Sequence, residues 1–180
     1  MVTVDIPEPK ASKFFFGDTR IAWLWLLIRV YAGWQWLMAG WEKFTSPAWI
    51  GPQAGAAVQG FLRGALGKAQ GQHADVSSWY AYFIQNVALY HPVLLSYFVT
   101  FGEIAVGAGL ILGLFTGIAA FFGAFMNANY LFAGTVSINP MLLILELFLV
   151  LAWRNAGWWG LDRYLLPHLG VPWKPGKAFA

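Results

Sequence analysis

The stretch that decides the fold is residues 21–43, IAWLWLLIRVYAGWQWLMAGWEK. It is long enough to cross a lipid bilayer, because a hydrocarbon core of about 30 Å needs about 20 helical residues. It also contains Arg29, which lies roughly 12 Å into the helix at about 1.5 Å per residue. An arginine at the centre of a membrane span costs about 2.5–3.5 kcal/mol on insertion scales, so we expect partners for it.

Helical spacing places Arg29 on one narrow stripe of the first helix. The stripe has a period of 3.6 residues and consists of Ala22, Trp25, Arg29, Gly33, Trp36, Gly40 and Lys43. Small residues let helices approach closely in membranes, so the stripe predicts a tightly packed face that carries two cations. Arg29 is either a structural residue that fixes the helix bundle or a functional one, and the spacing is compatible with both.

Composition indicates a membrane protein. Of 180 residues, 59% are hydrophobic and 11% are charged, whereas soluble domains are about 45–50% apolar and about 25% charged. The net charge of +3 comes mostly from groups near the two ends, which we interpret as membrane topology and not as affinity for nucleic acid. The chain has no cysteine, which excludes disulfides, thiolate metal sites and cysteine-ligated Fe–S clusters. We expect no haem, Fe–S cluster or other metal to be bound by this chain.

We predict an all-α, polytopic membrane protein with a bundle of four transmembrane helices. The membrane domain covers residues 20–165, with spans at about 20–41, 93–115, 118–133 and 141–153 and an external loop at 42–91. Within the loop, the apolar periodicity of residues 58–66 and the aromatic residues of 79–87 predict two short interfacial helices. A cytoplasmic arm, residues 1–19, precedes the domain, and a cytoplasmic tail, residues 166–180, follows it.

Charge predicts the orientation of the chain in the membrane. Lysines and arginines cluster before the first span and after the fourth. By the positive-inside rule, both termini lie on the cytoplasmic side of a cell membrane that the chain crosses several times. We expect the last residues of the tail to be disordered.

Four polar residues fall near the midplanes of their own predicted spans: Arg29, Glu103, Asn127 and Glu146. Pairing is the usual solution for buried polar groups in a membrane. We therefore predict that Arg29 is held between the two glutamates and that the surplus carboxyl relays protons. Alternatively, the cluster only fixes the order of the helices.

Lys43 continues the stripe of Arg29 and so points inward at the external mouth of the bundle. A cation there would attract a small anion. Alternatively, Lys43 is a long side chain that anchors the helix end at the membrane surface.

Three groups of residues resemble the DoxX family. They are Arg29, Gly33, Gly40 and Lys43 in the first span; Glu103, Gly107, Gly109, Gly113 and Thr116 in and after the second; and Gly157, Gly160 and Asp162 in the tail. The long loop and the aromatic content most resemble the DoxD-type subunit of thiosulfate:quinone oxidoreductase. The resemblance implies a membrane protein that oxidises thiosulfate to tetrathionate, passes electrons to a quinone and works with a second, DoxA-type subunit.

From this resemblance we predict the site residues. Catalytic roles are assigned to Arg29, Glu103 and Glu146, and substrate binding to Lys43, Trp36 and Asn127. Arg29 stabilises the negative charge of the quinol, and a glutamate supplies protons. The quinone, a diffusible electron acceptor, rests against Trp25, Trp36 and Tyr130, and Lys43 guides thiosulfate together with Arg63 or His91.

A different class of function is also compatible with the sequence. The chain would then be a non-catalytic membrane scaffold whose aromatic outer loop anchors a redox partner on the external face. A small transporter is a third class, but four short spans without a broken helix leave little room for alternating access. In every case we expect membrane lipid as a partner, a homo-oligomer is possible, and we expect no nucleic acid.

Overall fold

The computed structural model describes residues 7–71 and 73–170, and in that part of the chain every regular element is helical. The helices are α1 (Lys10–Gly17), α2 (Ala22–Phe44), α3 (Ala56–Gly67), α4 (Ser78–Asn86), α5 (Pro92–Leu112), α6 (Thr116–Phe132), α7 (Asn139–Leu151), α8 (Trp153–Ala156) and α9 (Asp162–Leu165). Short 3-10 helices cover Thr19–Ile21, Ala88–Tyr90 and Leu166–Leu169. The prediction of an all-α fold is confirmed. The expected disorder concerns the end of the chain, and residues 171–180 lie outside the described residues.

Proline and glycine set the ends of the most apolar helix. α5 begins at Pro92, since proline is well tolerated in a first turn. It ends before Gly113, which adopts the left-handed conformation common after a helix, with φ of 64°. The connection to α6 is three residues long, so α5 and α6 are antiparallel neighbours.

The four long helices pack as two close pairs. α2 lies against α5 through glycines: a Cβ atom at Gly33 would lie 2.9 Å from the Gly107 carbonyl oxygen, and one at Gly107 would lie 2.5 Å from the Leu37 nitrogen. α6 lies against α7 in the same way, at Gly123. The two pairs contact each other less closely, through α5 with α6 and α2 with α7. The close approach predicted from the glycine stripe of α2 is confirmed.

The bundle buries polar side chains and exposes apolar ones. Arg29, Glu103, Asn127 and Glu146 are at most 1% exposed. Each long helix turns large apolar side chains outward, among them Trp23, Phe98, Phe121 and Leu147, which are 51–66% exposed. This inverts the surface of a soluble protein, which exposes few contiguous apolar patches, and is typical of a surface that meets lipid.

One helix in the described residues, Pro92–Leu112, is long and apolar enough to cross a membrane by itself, and Asn139–Leu151 is apolar but shorter. A helix occupies each of the four segments that we predicted as spans, although the second, 93–115, was drawn three residues past the end of α5. That all four cross a membrane stays a prediction.

The segment between α2 and α5 covers one end of the bundle, which we call the loop end. α3 and α4 lie where the two short helices were expected. They bury a second apolar cluster that includes Val58, Leu62 and Ile84. Lys68 Nζ donates to the Gly134 carbonyl oxygen at 2.7 Å, which fixes this segment to the connection between α6 and α7.

The N-terminal arm contains a helix that the sequence analysis did not predict. α1 packs beside the bundle, where the Phe16 ring stacks on Trp25 and on Phe148. Trp25 Nε1 donates to the Phe15 carbonyl oxygen at 2.8 Å. Trp25, expected to form a quinone wall, therefore holds α1 against α2.

Candidate functional site

Arg29 does not lie between the two predicted glutamates. Its Nη1 donates to the carbonyl oxygens of Leu110 and Ile111, at 2.6 and 2.8 Å, and its Nη2 donates to that of Trp159 at 2.6 Å. The first two carbonyls belong to the last turn of α5 and form the negative end of its dipole. The Leu110 carbonyl also accepts from the Gly113 N–H group at 3.3 Å. The prediction that the glutamates hold Arg29 is wrong, and these contacts favour the structural role.

The register of α2 against α5 is the physical reason. The two helices are antiparallel, and their contacts pair Gly33 with Gly107 and Gly40 with Glu103. Arg29 therefore lies opposite the end of α5. Glu103 lies seven residues from Leu110, about 10 Å along the helix.

Asp162 completes the structure around Arg29. It is fully buried and accepts hydrogen bonds from the backbone N–H groups of Phe115, at 2.6 Å, and Thr116, at 2.8 Å. A Cβ atom at Gly160 would lie 2.7 Å from the Gly113 Cα atom, so only glycine permits this approach. We call Arg29, Gly113, Gly160 and Asp162 the tail clamp, because they join the tail to the connection between α5 and α6.

Glu103 pairs with Lys43 and Tyr130 at the loop end. Lys43 Nζ lies 2.8 Å from Glu103 Oε2, and the Tyr130 hydroxyl donates to Glu103 Oε1 at 2.6 Å. The ammonium group also lies 5.1 Å from the ring centroid of Trp49, a cation–π contact. Residues from α2, α5 and α6 thus place an acid, a cation and a phenol together, which we call the Glu103 triad (Lys43, Glu103 and Tyr130).

Glu146 belongs to a separate cluster. Trp36 Nε1 donates to its Oε1, and Asn127 Nδ2 donates to its Oε2 at 2.7 Å. In the described part of the chain no cation forms an ion pair with it. The Trp36 ring stacks on Tyr130, with centroids 6.4 Å apart, so this cluster lies beside the Glu103 triad without joining it.

A cavity of about 1470 Å³ lies between the two helix pairs. All three members of the Glu103 triad line it, together with Trp36 and Asn127, and most of the remaining wall is apolar. Neither Arg29 nor Glu146 is among its described lining residues. Trp25, Arg63 and His91 are not among the described lining residues either. Arg63 and His91 are exposed. Among the predicted site residues, the structure therefore gathers Lys43, Trp36, Glu103 and Asn127 at one cavity.

The loop-end helices close one end of this cavity. Phe61 and Leu62 of α3 and Tyr80 of α4 form that part of its wall. The Tyr80 hydroxyl lies 3.1 Å from the carbonyl oxygen and from the amide oxygen of Asn129. Burial raises the pKa of Tyr80, so its hydroxyl remains a hydrogen-bond donor over the physiological range.

Tyr130 was expected only as an aromatic wall of the quinone site, and its hydrogen bond to Glu103 was not predicted. Trp49 was not predicted as a site residue. Tyr130 follows Asn127 by three residues, which places both side chains on one face of α6. This spacing is a signal that the Tyr130 hydroxyl belongs to the same polar cluster as Asn127. Trp49 lies outside the regular helices, and its contact with Lys43 had no local sequence signal. Across residues 7–71 and 73–170, no group of three or more acidic or histidine side chains is arranged to hold a metal ion.

Comparison with known proteins identifies a family for most of this structure. The DoxX family model matches residues 24–136, more than half of the chain. The match contains Arg29 and the whole Glu103 triad and ends before Glu146. It does not distinguish subunit types within the family. No curated protein and no solved structure matches the chain.

Proposed function

This chain belongs to the DoxX family, and we propose on that premise that it is an integral membrane protein that reduces a quinone in the cavity beside the Glu103 triad. Members of the family are generally membrane proteins associated with quinone and redox functions. The apolar helix Pro92–Leu112 and the large apolar side chains exposed on all four long helices support a membrane location.

The proposal includes the topology. α2, α5, α6 and α7 cross the cell membrane, and both termini are cytoplasmic, as the basic residues near the ends favour. α7 has only 13 residues, but α8 continues it after a single intervening residue. The loop end then lies on the external face.

The observation that carries the proposal is a buried acid, paired with a cation and a phenol, in the wall of an apolar cavity. The ammonium group of Lys43 donates to a quinone oxygen and stabilises the negative charge that develops as electrons arrive. The Tyr130 hydroxyl gives its proton to that oxygen. Glu103, which pairs with Lys43 as a carboxylate, takes up a proton from water at the loop end and passes it to the Tyr130 phenolate. The cavity exceeds the volume of about 300–1,000 Å³ that is usual for small-molecule sites, so it has room for a lipid-soluble quinone.

We propose thiosulfate as the electron donor, following the resemblance to DoxD-type subunits. Two thiosulfate ions lose two electrons and join through a new S–S bond as tetrathionate, while the quinone takes up those two electrons and two protons as quinol. The chain has no cysteine, so the electrons do not pass through a protein thiol. They go directly from sulfur to quinone or through a cofactor of a DoxA-type partner.

The first test is an assay of purified protein in liposomes with thiosulfate and a water-soluble quinone. We expect the wild type to bleach the quinone absorbance, and Lys43→Met to lower kcat by about 10²-fold through lost charge stabilisation. Lys13→Met, which removes an exposed lysine of α1, is the matched control. If the wild type shows only background reduction, the isolated chain lacks this activity. If Lys43→Met equals the control, the assigned site is wrong.

The scaffold function has its own supporting observation. α4 turns Trp79 and Tyr82 outward, 58% and 69% exposed, on the segment that would meet an external redox partner. If the chain is a scaffold, replacing both residues with serine abolishes thiosulfate-dependent quinone reduction in native membrane vesicles, and Glu103→Gln does not. The opposite pattern rejects the scaffold. A DoxA-type subunit or a second copy of this chain is the proposed partner.

A further inference from the structure

The cavity continues from the Glu103 triad to the side of the bundle between α5 and α6. Its wall there is formed by Phe98, Gly102 and Gly109 on α5 and by Ile118, Phe122 and Phe125 on α6. The large members of this set are 52–66% exposed. This part of the cavity is therefore a groove that opens laterally, and we call these six residues the lateral groove.

We propose that the lateral groove holds the isoprenoid tail of the quinone whose ring lies at the Glu103 triad. The proposal rests on the proposed function and adds to it the class of substrate, a long-chain isoprenoid quinone that enters sideways from the lipid.

The lateral groove is continuous with the Glu103 triad. Gly102 precedes Glu103 on α5, and Phe125 lies little more than one turn before Tyr130 on α6, so the groove begins where the quinone ring would end. From Gly102 to Leu112 it follows α5 for ten residues, about 15 Å at 1.5 Å per residue. Apart from Glu103 itself, the α5 residues that line this length are glycine or apolar. A polar chain would leave its hydrogen bonds unmade there, whereas a hydrocarbon chain needs none.

Gly102 lies inside the helix α5. Glycine there is less favourable than alanine, and elsewhere in α5 close packing explains it, as at Gly107. At Gly102 a Cβ atom would lie 3.5 Å from Met126 Sδ, an ordinary contact. Helix packing does not require glycine at this position. A groove kept free for a ligand does.

The four long helices pack unequally. α2 with α5 and α6 with α7 are close pairs, whereas α5 meets α6 less closely although only three residues connect them. A short connection would permit tight packing of antiparallel neighbours. The space between α5 and α6 is therefore determined by the side chains that line it and not by the length of the connection. This space faces the proposed lipid.

The experiment compares two quinones that share a ring, one without a tail and one with a long isoprenoid tail, in liposomes containing the protein. In the Gly102→Leu variant we expect the KM for the long-chain quinone to rise about tenfold or more, as overpacking a fitted site does, and the KM for the tail-less quinone to stay unchanged. Gly64→Leu is the matched control, because α3 has open space around that glycine. Ala105→Phe, on the exposed edge of the same wall, is the second variant if Gly102→Leu does not fold.

The two KM values separate the lateral groove from the proposed function. Equal KM values in Gly102→Leu and the control, for both quinones, overturn the groove and leave the proposed function standing. A wild type that reduces neither quinone refutes the proposed function for this chain. In that case, calorimetric binding of the two quinones to the wild type tests the lateral groove. Equal affinities for the two quinones overturn the proposal. Binding of phospholipid in the groove instead of the long-chain quinone also overturns it. A long-chain preference that Gly102→Leu removes supports it.

Discussion

Replacing Glu103 with glutamine is expected to lower the kcat of quinone reduction by about 10²-fold or more, because the amide cannot supply a proton to the quinone by way of Tyr130. Glutamine has the shape of glutamate and its oxygen can still accept the Tyr130 hydrogen bond, so the packing of α5 is kept. The ammonium group of Lys43 loses its counterion, but its side chain is 19% exposed whereas that of Glu103 is 1% exposed, so water can partly solvate the lysine.

The measurement is the rate of thiosulfate-dependent quinone bleaching in liposomes, with kcat and KM separated. Asp75→Asn, an exposed acid on the loop, is the isosteric control. In Tyr130→Phe we expect kcat to fall by about tenfold or more, because the substitution removes the hydroxyl that faces both Glu103 and the cavity. A Glu103→Gln enzyme with the control's kcat would show that the triad does not deliver the proton.

Glu146→Gln distinguishes the two buried acids. Glu146 does not line the cavity, and both of its hydrogen-bond donors come from the protein. We therefore expect a smaller loss of kcat than in Glu103→Gln. An equal or larger loss would favour Glu146 as the glutamate that supplies protons, the other assignment that the sequence allows.

The helices were predictable because each has local causes. Apolar runs of the right length and Pro92 at the start of α5 mark these helices without reference to any other segment. The end of α5 was placed at residue 115, although Gly113 marks it locally. The stripe through Gly33 and Gly40 also identified the face of α2 that packs, since a glycine's effect on helix approach does not depend on the partner. The inward direction of Lys43 follows from the same stripe.

The partners of the charged groups were not predictable for a different reason. Counting depth within each helix from its own ends makes Arg29 and Glu103 look level, but the contact between Gly33 and Gly107 shifts the helices so that the two residues lie apart. The groups that bind Arg29 are backbone carbonyls, which every residue carries and no sequence pattern marks. α1 likewise depends on Phe16 meeting Trp25, a contact between distant parts of the chain.

Arg29→Met is expected to destabilise the protein strongly while its effect on catalysis stays indirect. The substitution leaves the carbonyl oxygens of Ile111 and Trp159 without a donor in a nearly water-free environment, and it leaves that of Leu110 with only the Gly113 N–H group, at 3.3 Å. Each unsatisfied buried group costs about 1–3 kcal/mol, with some relief from relaxation, so we expect a loss of about 3 kcal/mol or more. For a chain of this size that corresponds to a fall of roughly 5–10 °C in the unfolding temperature.

The measurement is thermal unfolding of the purified protein in detergent, and Arg20→Met is the matched control. Arg20 is paired with Asp18 but its side chain is 78% exposed, so its removal should leave the unfolding temperature unchanged. Asp162→Asn tests the tail clamp at its acidic residue. The single amide oxygen of asparagine cannot accept from the N–H groups of both Phe115 and Thr116 in the geometry that holds Phe115 at its positive φ. Arg29→Lys keeps the charge, but the lysine cannot donate to all three carbonyl oxygens. We therefore expect this variant to unfold at a lower temperature than the wild type. At temperatures where it is folded, it should reduce quinone at the wild-type rate. An Arg29→Lys protein that is as stable as the wild type but inactive would instead make this arginine a catalytic group, and the cavity lined by the Glu103 triad would no longer account for the reaction.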